Sequence, residues 1–218
     1  MSKENELTIG VYQKYADRYL QNSIAHDAVN VEKAKEKQEL LQELLRVGLS
    51  TLPRHSAVLE IGSGDGVTAS YLEELGFDVT ASDVADAFLA EIKKKKLRAI
   101  RFNVLTDLFP KKYYGIVCWR VFVHFTSMDA RMMLKNAYDA LEPGGRLVFN
   151  AMNREEHTEN EEWLDFQGAY HMGATRFFHY FDEAELREMA TLIGYRISDF
   201  RREGGTRGNK WLVFVLER

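Results

Sequence analysis

Between Ala57 and Ala151, five short apolar runs are spaced along the chain, most of them followed by amphipathic segments. AVLEI (57–61) is followed by a helical pattern reaching Leu75, and FDVTAS (77–82) by one reaching Lys96. RAIRF (98–102) comes third, YGIVCW (114–119) precedes a helical pattern from about Met128 to Leu141, and RLVFNA (146–151) closes the series. Strand, helix, strand in this order means right-handed crossovers and parallel pairing, with helices covering both faces of one sheet. Two further runs, YRISDF (195–200) and WLVFVLE (211–217), are joined by the Gly-rich EGGTRGN and read as an antiparallel hairpin. The expectation is an α/β three-layer sandwich whose seven-stranded sheet is mostly parallel, with the last strand antiparallel.

Helical spacing of Tyr12, Tyr15, Ala16, Tyr19 and Leu20 predicts a helix over roughly 8–21. Leu40, Leu41, Leu44 and Leu45 predict another over 31–48, which Asn30 can cap. A later helix, Glu183 to Ile193, carries Asp182 and Glu185 as a capping box, Phe181 and Leu186 as a hydrophobic staple, and Gly194 at its end. A chain of 218 residues, 45% of them hydrophobic, supports one domain. Its net charge of −4 does not advertise a nucleic-acid surface, and its single cysteine excludes an intrachain disulfide. The polar start MSKENELTIG and the lack of a membrane-length apolar run lead us to expect a soluble protein of the cytoplasm.

The first apolar run ends in VLEIGSGDGV (58–67), with Gly62, Gly64 and Gly66 at alternate positions. Glycine is needed where φ is positive or where a Cβ would stand between backbone and ligand. Such a loop, between a strand and a helix at the carboxyl edge of a parallel sheet, has the context of a nucleotide-binding turn. Val67 stands where a dinucleotide loop has its third glycine, so the spacing is G-x-G-x-G. Asp83 ends the second run, 21 residues after Gly62, where a carboxylate can accept both hydroxyls of a ribose. Together they point to a ligand with a ribose and no pyrophosphate, and away from a nicotinamide oxidoreductase.

VLEIGSGDG resembles the first motif of the class I S-adenosylmethionine-dependent methyltransferases, and VTASDVADAFLA their second. YYGIVCWRVFVHF resembles the fourth motif, and AYDALEPGGRLVFN the segment around the fifth strand, so the likeness covers about residues 56–150. It implies a Rossmann-like fold, S-adenosyl-L-methionine as cofactor, and methyl transfer to N or O of a small organic molecule by in-line displacement. It places Glu60, Gly62, Ser63, Gly64 and Gly66 around the methionine part of the cofactor and Asp83 at the ribose. Val84 would pack on adenine, with Asn103 and Val104 after the third strand. Family members often carry an Asp near the adenine amine; Asn103 holds that place here, and Asp107 competes for it. Cys118 and Trp119 would lie near the sulfonium. The chain then divides into a helical cap (1–50), a cofactor-binding core (51–151), a substrate lid (152–181), and a final helix and hairpin (182–218).

In-line transfer requires the nucleophile about 3–3.5 Å from the methyl carbon, and aromatic walls that exclude water suit a sulfonium losing its charge. His124 is a candidate base or, alternatively, a structural hydrogen-bonding residue; Arg120 either positions an anionic substrate or pairs with a surface acid. The stretch CWRVFV contains no Asn/Asp-Pro-Pro-aromatic run, and Cys118 follows Val117 rather than proline, which argues against the adenine-N6 and cytosine-C5 classes. It also supplies no acidic ligands, so no metal is expected. Met152 to Tyr180 is long, irregular and aromatic, and its Trp163, Phe166, Tyr170, Phe177, Phe178, Tyr180, His157, His171 and His179 either build the lid's own core or face the acceptor. Tyr12, Tyr15, Tyr19, Tyr170 and His171 are the candidate substrate contacts.

Two acidic or basic runs read as solvated faces: Glu155, Glu156, Glu159, Glu161 and Glu162, and Lys93 to Lys96 at a helix end. Arg201, Arg202, Arg207 and Lys210 on the hairpin leave open the alternative of an RNA or protein methyltransferase, and the fold alone leaves open a non-catalytic cofactor-binding module.

Overall fold

The computed structural model describes residues 1–165, 171–204 and 210–218, with all side chains there except those of His26, Lys33, Lys37, Glu156 and Lys210. The expectations at Phe166, Tyr170 and Arg207, and those for the Glu156 and Lys210 side chains, therefore lie outside the described residues. Five strands, β1 (Ala57–Ile61), β2 (Asp78–Asp83), β3 (Ala99–Arg101), β4 (Tyr113–Cys118) and β5 (Leu141–Asn153), pair in parallel in the order β3-β2-β1-β4-β5. The order reverses between β1 and β4, which opens a crevice beyond the carboxyl ends of the strands. The terminal hairpin, β8 (Arg196–Gly204) and β9 (Lys210–Glu217), joins through β9, antiparallel to both β5 and β8.

Both faces of the sheet are covered, and the two-residue period of the strands sorts their side chains between them. Leu59, Ile116, Leu147 and Phe149 face a core shared with α5 (Ser127–Ala140) and α6 (Glu183–Ile193). Val58, Val79, Val117 and Val148 face a second core shared with α2 (Val31–Gly48), α3 (Val67–Glu74) and α4 (Asp86–Lys94). The first helix, α1 (Lys3–Val29), belongs to neither layer: it lies over β7 (Arg176–Phe181), α4 and the 3-10 turn Phe122–His124.

Four expectations change. Among the described residues the sheet has nine strands, because 152–181 contributes two: β6 (Glu161–Leu164) pairs antiparallel with β7, which pairs with the far end of β5. Most of its described aromatics are buried, Phe177 and Tyr180 being 1% exposed. The first helix starts earlier than its apolar period, because the Ser2 hydroxyl caps it by accepting the Asn5 N–H at 3.1 Å. The Asp182 side chain does not cap α6: its carboxylate takes Arg154 at 3.0 Å, while Glu185 accepts Ser127 Oγ at 2.6 Å. Asn30 sits at the N-cap of α2 without a side-chain capping bond. Phe181 and Leu186 are both buried in one core, as a staple requires.

Candidate functional site

Beyond β1 the chain must leave the sheet and enter α3 within five residues, and it does so through left-handed glycines. Gly62 has φ +68°, and a Cβ there would sit 2.2 Å from Val121 Cγ2. This loop is thus packed directly on the turn that follows β4. Gly64 has φ +54°, and a Cβ there meets nothing within 4 Å. It borders a cavity of about 770 Å³, in the range of pockets that take small ligands.

Asp83 closes β2 and is 5% exposed. Its Oδ2 accepts the Gly64 N–H and its Oδ1 the Ala85 N–H, both at 3.0 Å. The carboxylate therefore ties the glycine loop to the start of α4 and still has lone pairs for a ligand. Burial pushes its pKa up, opposed by the N–H groups of Ala85, Gly64 and Val84 and by the charge of Arg101. Glu60, from β1, is 2% exposed, and its Oε2 has no hydrogen-bond partner. Burial pushes its carboxyl up to about 7, against the pull of the Ser63 and Thr68 hydroxyls. An unsatisfied buried carboxylate oxygen is costly, and this one borders the cavity beside Gly62 and Ser63. A ligand with a cationic group and a hydroxyl pair suits this wall.

Of the other predicted residues, Val84, Asn103, Val104 and Trp119 line the cavity. Asp107 does not; its Oδ2 accepts the Asn103 N–H at 2.8 Å and so fixes the loop that presents Asn103. Gly66 also stays out of the wall, serving as the N-cap of α3 at φ 79°. Cys118 is fully buried on the α5 side of β4, because strand alternation sends it away from Trp119. Burial raises its thiol pKa strongly, which leaves it inert.

On the opposite side, Tyr12 and Tyr19 line the cavity, whereas Tyr15 does not; its ring carries the cations of Lys14 and Arg18. His171 is also away from the cavity, its Nδ1 3.1 Å from Asp165. His124 lines it, with both nitrogens engaged. A carbonyl can only accept, so Nδ1–H donates to Phe177 O at 2.7 Å, and Nε2 accepts the Tyr12 hydroxyl at 2.9 Å. Burial lowers the pKa of His124 to about 4, with the Arg176 charge adding to the fall and the Phe177 carbonyl opposing it. The imidazole is neutral at pH 7. Arg120 has φ +60°, and its N–H donates to Asn150 Oδ1 at 2.6 Å. That bond holds the turn which throws Val121 against Gly62. The guanidinium of Arg120 stands 5.9 Å from the Trp211 ring centre; burial pushes the Glu203 carboxyl up, opposed by the charges of Arg120 and Arg201.

Three residues of this wall carried no local signal in the sequence. Arg176, 2% exposed, donates to the Tyr12 hydroxyl at 3.0 Å. Thr8 accepts the Phe177 N–H at 3.0 Å, and Asn5 Nδ2 donates to His124 O at 3.2 Å. All three depend on contacts more than a hundred residues apart, which no periodicity reports. On the hairpin, Arg201 pairs with Asp199, and Arg202 with Glu155 and Glu183, so these charges are compensated. Among the described residues no three His, Cys, Asp or Glu side chains converge as metal ligands, and no helix is long and apolar enough to cross a membrane.

A strand-order reversal, a left-handed glycine turn at its edge and an acid closing the next strand define a nucleoside-binding α/β domain. The chain belongs to the methyltransferase domain family, whose match spans residues 32–199. Among curated proteins it is similar to the ubiquinone biosynthesis O-methyltransferase of Idiomarina loihiensis, 28% identical over 105 residues, 44% of this chain and 42% of that protein. The chain thus spans under half the length of this relative. Among solved structures it resembles magnesium protoporphyrin IX methyltransferase from Synechocystis PCC 6803 with bound SAM (TM-score 0.72, 14% identity, 100% of this chain and 98% of that one). It also resembles 1,6-didemethyltoxoflavin-N1-methyltransferase from Burkholderia thailandensis, solved with 1,6-didemethyltoxoflavin and S-adenosylhomocysteine (TM-score 0.69, 18% identity, 100% and 91%). At such identities these two likenesses establish the fold.

Proposed function

We propose that the cavity binds S-adenosyl-L-methionine and that the protein transfers its methyl group to N or O of a small organic molecule. The observation that carries this is the joint placement of Asp83, bonded to the Gly64 N–H, and the unpartnered Glu60 oxygen on one wall. When bound, the cofactor supplies an electrophilic methyl group on a sulfonium. Asp83 accepts the ribose hydroxyls, and Glu60 with the loop from Gly62 to Gly64 takes the amino-acid tail. Val84 and Val104 sandwich the adenine with Asn103 at its edge, and Trp119 walls the sulfonium side. Residues 152–181 and α1 form the acceptor side as a lid, and Tyr12 and Tyr19 shape it. A base role for His124 runs through the Tyr12 hydroxyl, because that hydroxyl occupies Nε2. The family match and the methyltransferase relatives support this reading, as does pairing of the hairpin arginines, which leaves the RNA alternative without a free basic patch at Arg201 and Arg202. Calorimetry with S-adenosylhomocysteine tests it: micromolar binding is expected, and absence of binding defeats it.

The raised pKa of Glu60 adds a pH signature. A carboxyl near 7 is about half protonated at pH 7, whereas a bound ammonium demands the ionised form. Cofactor binding should therefore release about half a proton at pH 7, more at pH 6, and almost none at pH 8.5. Calorimetry in buffers of different ionisation enthalpy reads this directly; binding enthalpies independent of buffer at pH 6–7 would exclude Glu60 as the partner of the amine. Without ligand the sign is opposite to that of an ordinary ion-paired carboxylate. The folded state holds the Glu60 proton more tightly than the unfolded one, so this contribution is full below about pH 4.5 and is lost as pH rises toward 7. Glu60→Gln should raise the thermal stability of the ligand-free protein at pH 8 while weakening S-adenosylhomocysteine binding.

A further inference from the structure

The first turns of α1 carry a buried hydrogen-bond acceptor that the protein itself leaves unmet. Asn5, Thr8, Ile9 and Tyr12 are spaced i, i+3, i+4 and i+7, so they form one stripe of the helix, and all four line the cavity. Asn5 is 4% exposed. Its Nδ2 donates to His124 O at 3.2 Å, and its Oδ1 has no partner. Only the amide nitrogen can face a carbonyl, so this orientation is fixed. A buried carbonyl oxygen without a donor is costly.

The backbone beneath Asn5 is fixed as well. Its N–H donates to Ser2 Oγ at 3.1 Å, and the Ser2 N–H and hydroxyl both donate to Asp129, a fully buried carboxylate in the first turn of α5. The other end of the stripe is tied by the Tyr12 hydroxyl, which donates to His124 Nε2 at 2.9 Å. Neither the helix nor the amide can turn to satisfy Oδ1 without breaking one of these bonds.

Building on the methyltransferase reading above, we propose that the methyl acceptor presents a neutral O–H or N–H to Asn5 Oδ1, and that Asn5 thereby selects and positions it. An amide oxygen can only accept, so the matching group is a donor; an ether, a tertiary amide or a carboxylate does not fill the place. The imidazole of His124, the residue whose carbonyl Asn5 holds, is neutral at pH 7, because burial disfavours its charged form and the charge of Arg176 adds to this. The same surroundings disfavour an ammonium, which leaves a hydroxyl, an amide N–H or a ring N–H. The ring of His124 lies 5.4 Å from that of Tyr12 and 4.7 Å from that of Phe178, centre to centre, and such walls suit a flat molecule.

The test uses the protein saturated with S-adenosylhomocysteine and probes that differ in the donor: phenol against anisole, benzamide against N,N-dimethylbenzamide, and 2-pyridone against 1-methyl-2-pyridone, with benzylamine as the cation. Binding is read by ligand-observed NMR and by quenching of Trp119 and Trp211, which border the cavity. At least one donor probe should bind ten or more times tighter than its methylated counterpart, and benzylamine should not compete with it. Asn5→Leu should bring that ratio to within about twofold of one. Asn5→Asp keeps an acceptor oxygen at the same place and loses the bond to His124 O; it should keep the preference and gain benzylamine binding. A residue that only ties α1 to His124 would make the two variants alike, since both lose that tie. Equal binding of donor and methylated probes by the unmodified protein, binding of none of them, a preference that survives Asn5→Leu, or identical behaviour of the two variants overturns the proposal. So does an Asn5→Leu protein that loses tenfold in S-adenosylhomocysteine affinity with its probe ratio intact, which would assign Oδ1 to the adenine amine. If Asn5→Leu does not fold, the gain or absence of benzylamine binding in Asn5→Asp decides. Failure of the unmodified protein to bind S-adenosylhomocysteine is a different result: it defeats the cofactor reading, and the same probes, read on the ligand-free protein, still decide the role of Asn5.

Discussion

Asp83→Ala should weaken S-adenosylhomocysteine binding by about 100-fold or more. Hydrogen bonds to a charged group contribute roughly 1.5–3 kcal/mol each, and a ribose offers two hydroxyls to one buried carboxylate. The same change strips the Gly64 and Ala85 N–H groups of their acceptor. A stability loss of roughly 2–4 kcal/mol should therefore accompany it. Asp83→Asn separates the two effects. Its amide oxygen can keep one N–H partnered, while its NH₂ removes an acceptor and the charge. We expect it to retain most of the stability and still lose at least tenfold in affinity, by calorimetry and thermal denaturation on the same samples. Wild-type affinity in a folded Asp83→Ala protein would remove Asp83 from the cofactor site.

The glycine loop gives the other large effect, and it differs between two residues two positions apart. Gly62→Ala should cost at least about 3 kcal/mol, the sum of a left-handed backbone that disfavours a side chain and overpacking against a core neighbour. The Cβ would stand 2.2 Å from Val121 Cγ2, on a turn held by the Arg120–Asn150 bond, so little can yield. Val121→Ala should restore part of that loss in the double variant, since it removes the clashing methyl. Gly64→Ala shares the backbone penalty, roughly 1–2 kcal/mol, and meets nothing within 4 Å. It should fold, yet lose cofactor affinity, because Gly64 borders the cavity and its N–H is set against Asp83. Urea denaturation and calorimetry on the three variants check the pattern; equal destabilisation by the two single changes would contradict the packing described.

The parallel core was readable because its signals are local. Each strand is a short run of apolar residues, each crossover helix has its own period, and the runs 57–61 and 114–119 match β1 and β4 to within a residue or two. Among the described residues nine strands stand where seven were expected: β7 is buried at every position and shows no alternation, and β6 is only four residues long. The capping box at Asp182 misled for a related reason. The spacing was correct, but Arg154 and Ser127 offered the two carboxylates stronger tertiary partners.

The site divides along the same line. Gly62, Gly64 and Asp83 follow from one strand–loop–helix and the strand after it, so their spacing pointed to a ribose-bearing ligand, whereas Glu60 was placed there by the family resemblance. Their burial and the 770 Å³ cavity they border needed the folded chain. The acceptor side follows another rule. Tyr12 reaches Arg176 across 164 positions and His124 across 112, through a helix that lies outside both sheet layers. Sequence by itself determined the fold class and set Glu60, Gly62, Gly64 and Asp83 along one wall of the cavity, since both rest on local geometry. The tertiary structure alone decided which of the aromatic, histidine and arginine residues meet, because docking of α1 onto β7 is set by long-range packing that leaves no period in the chain.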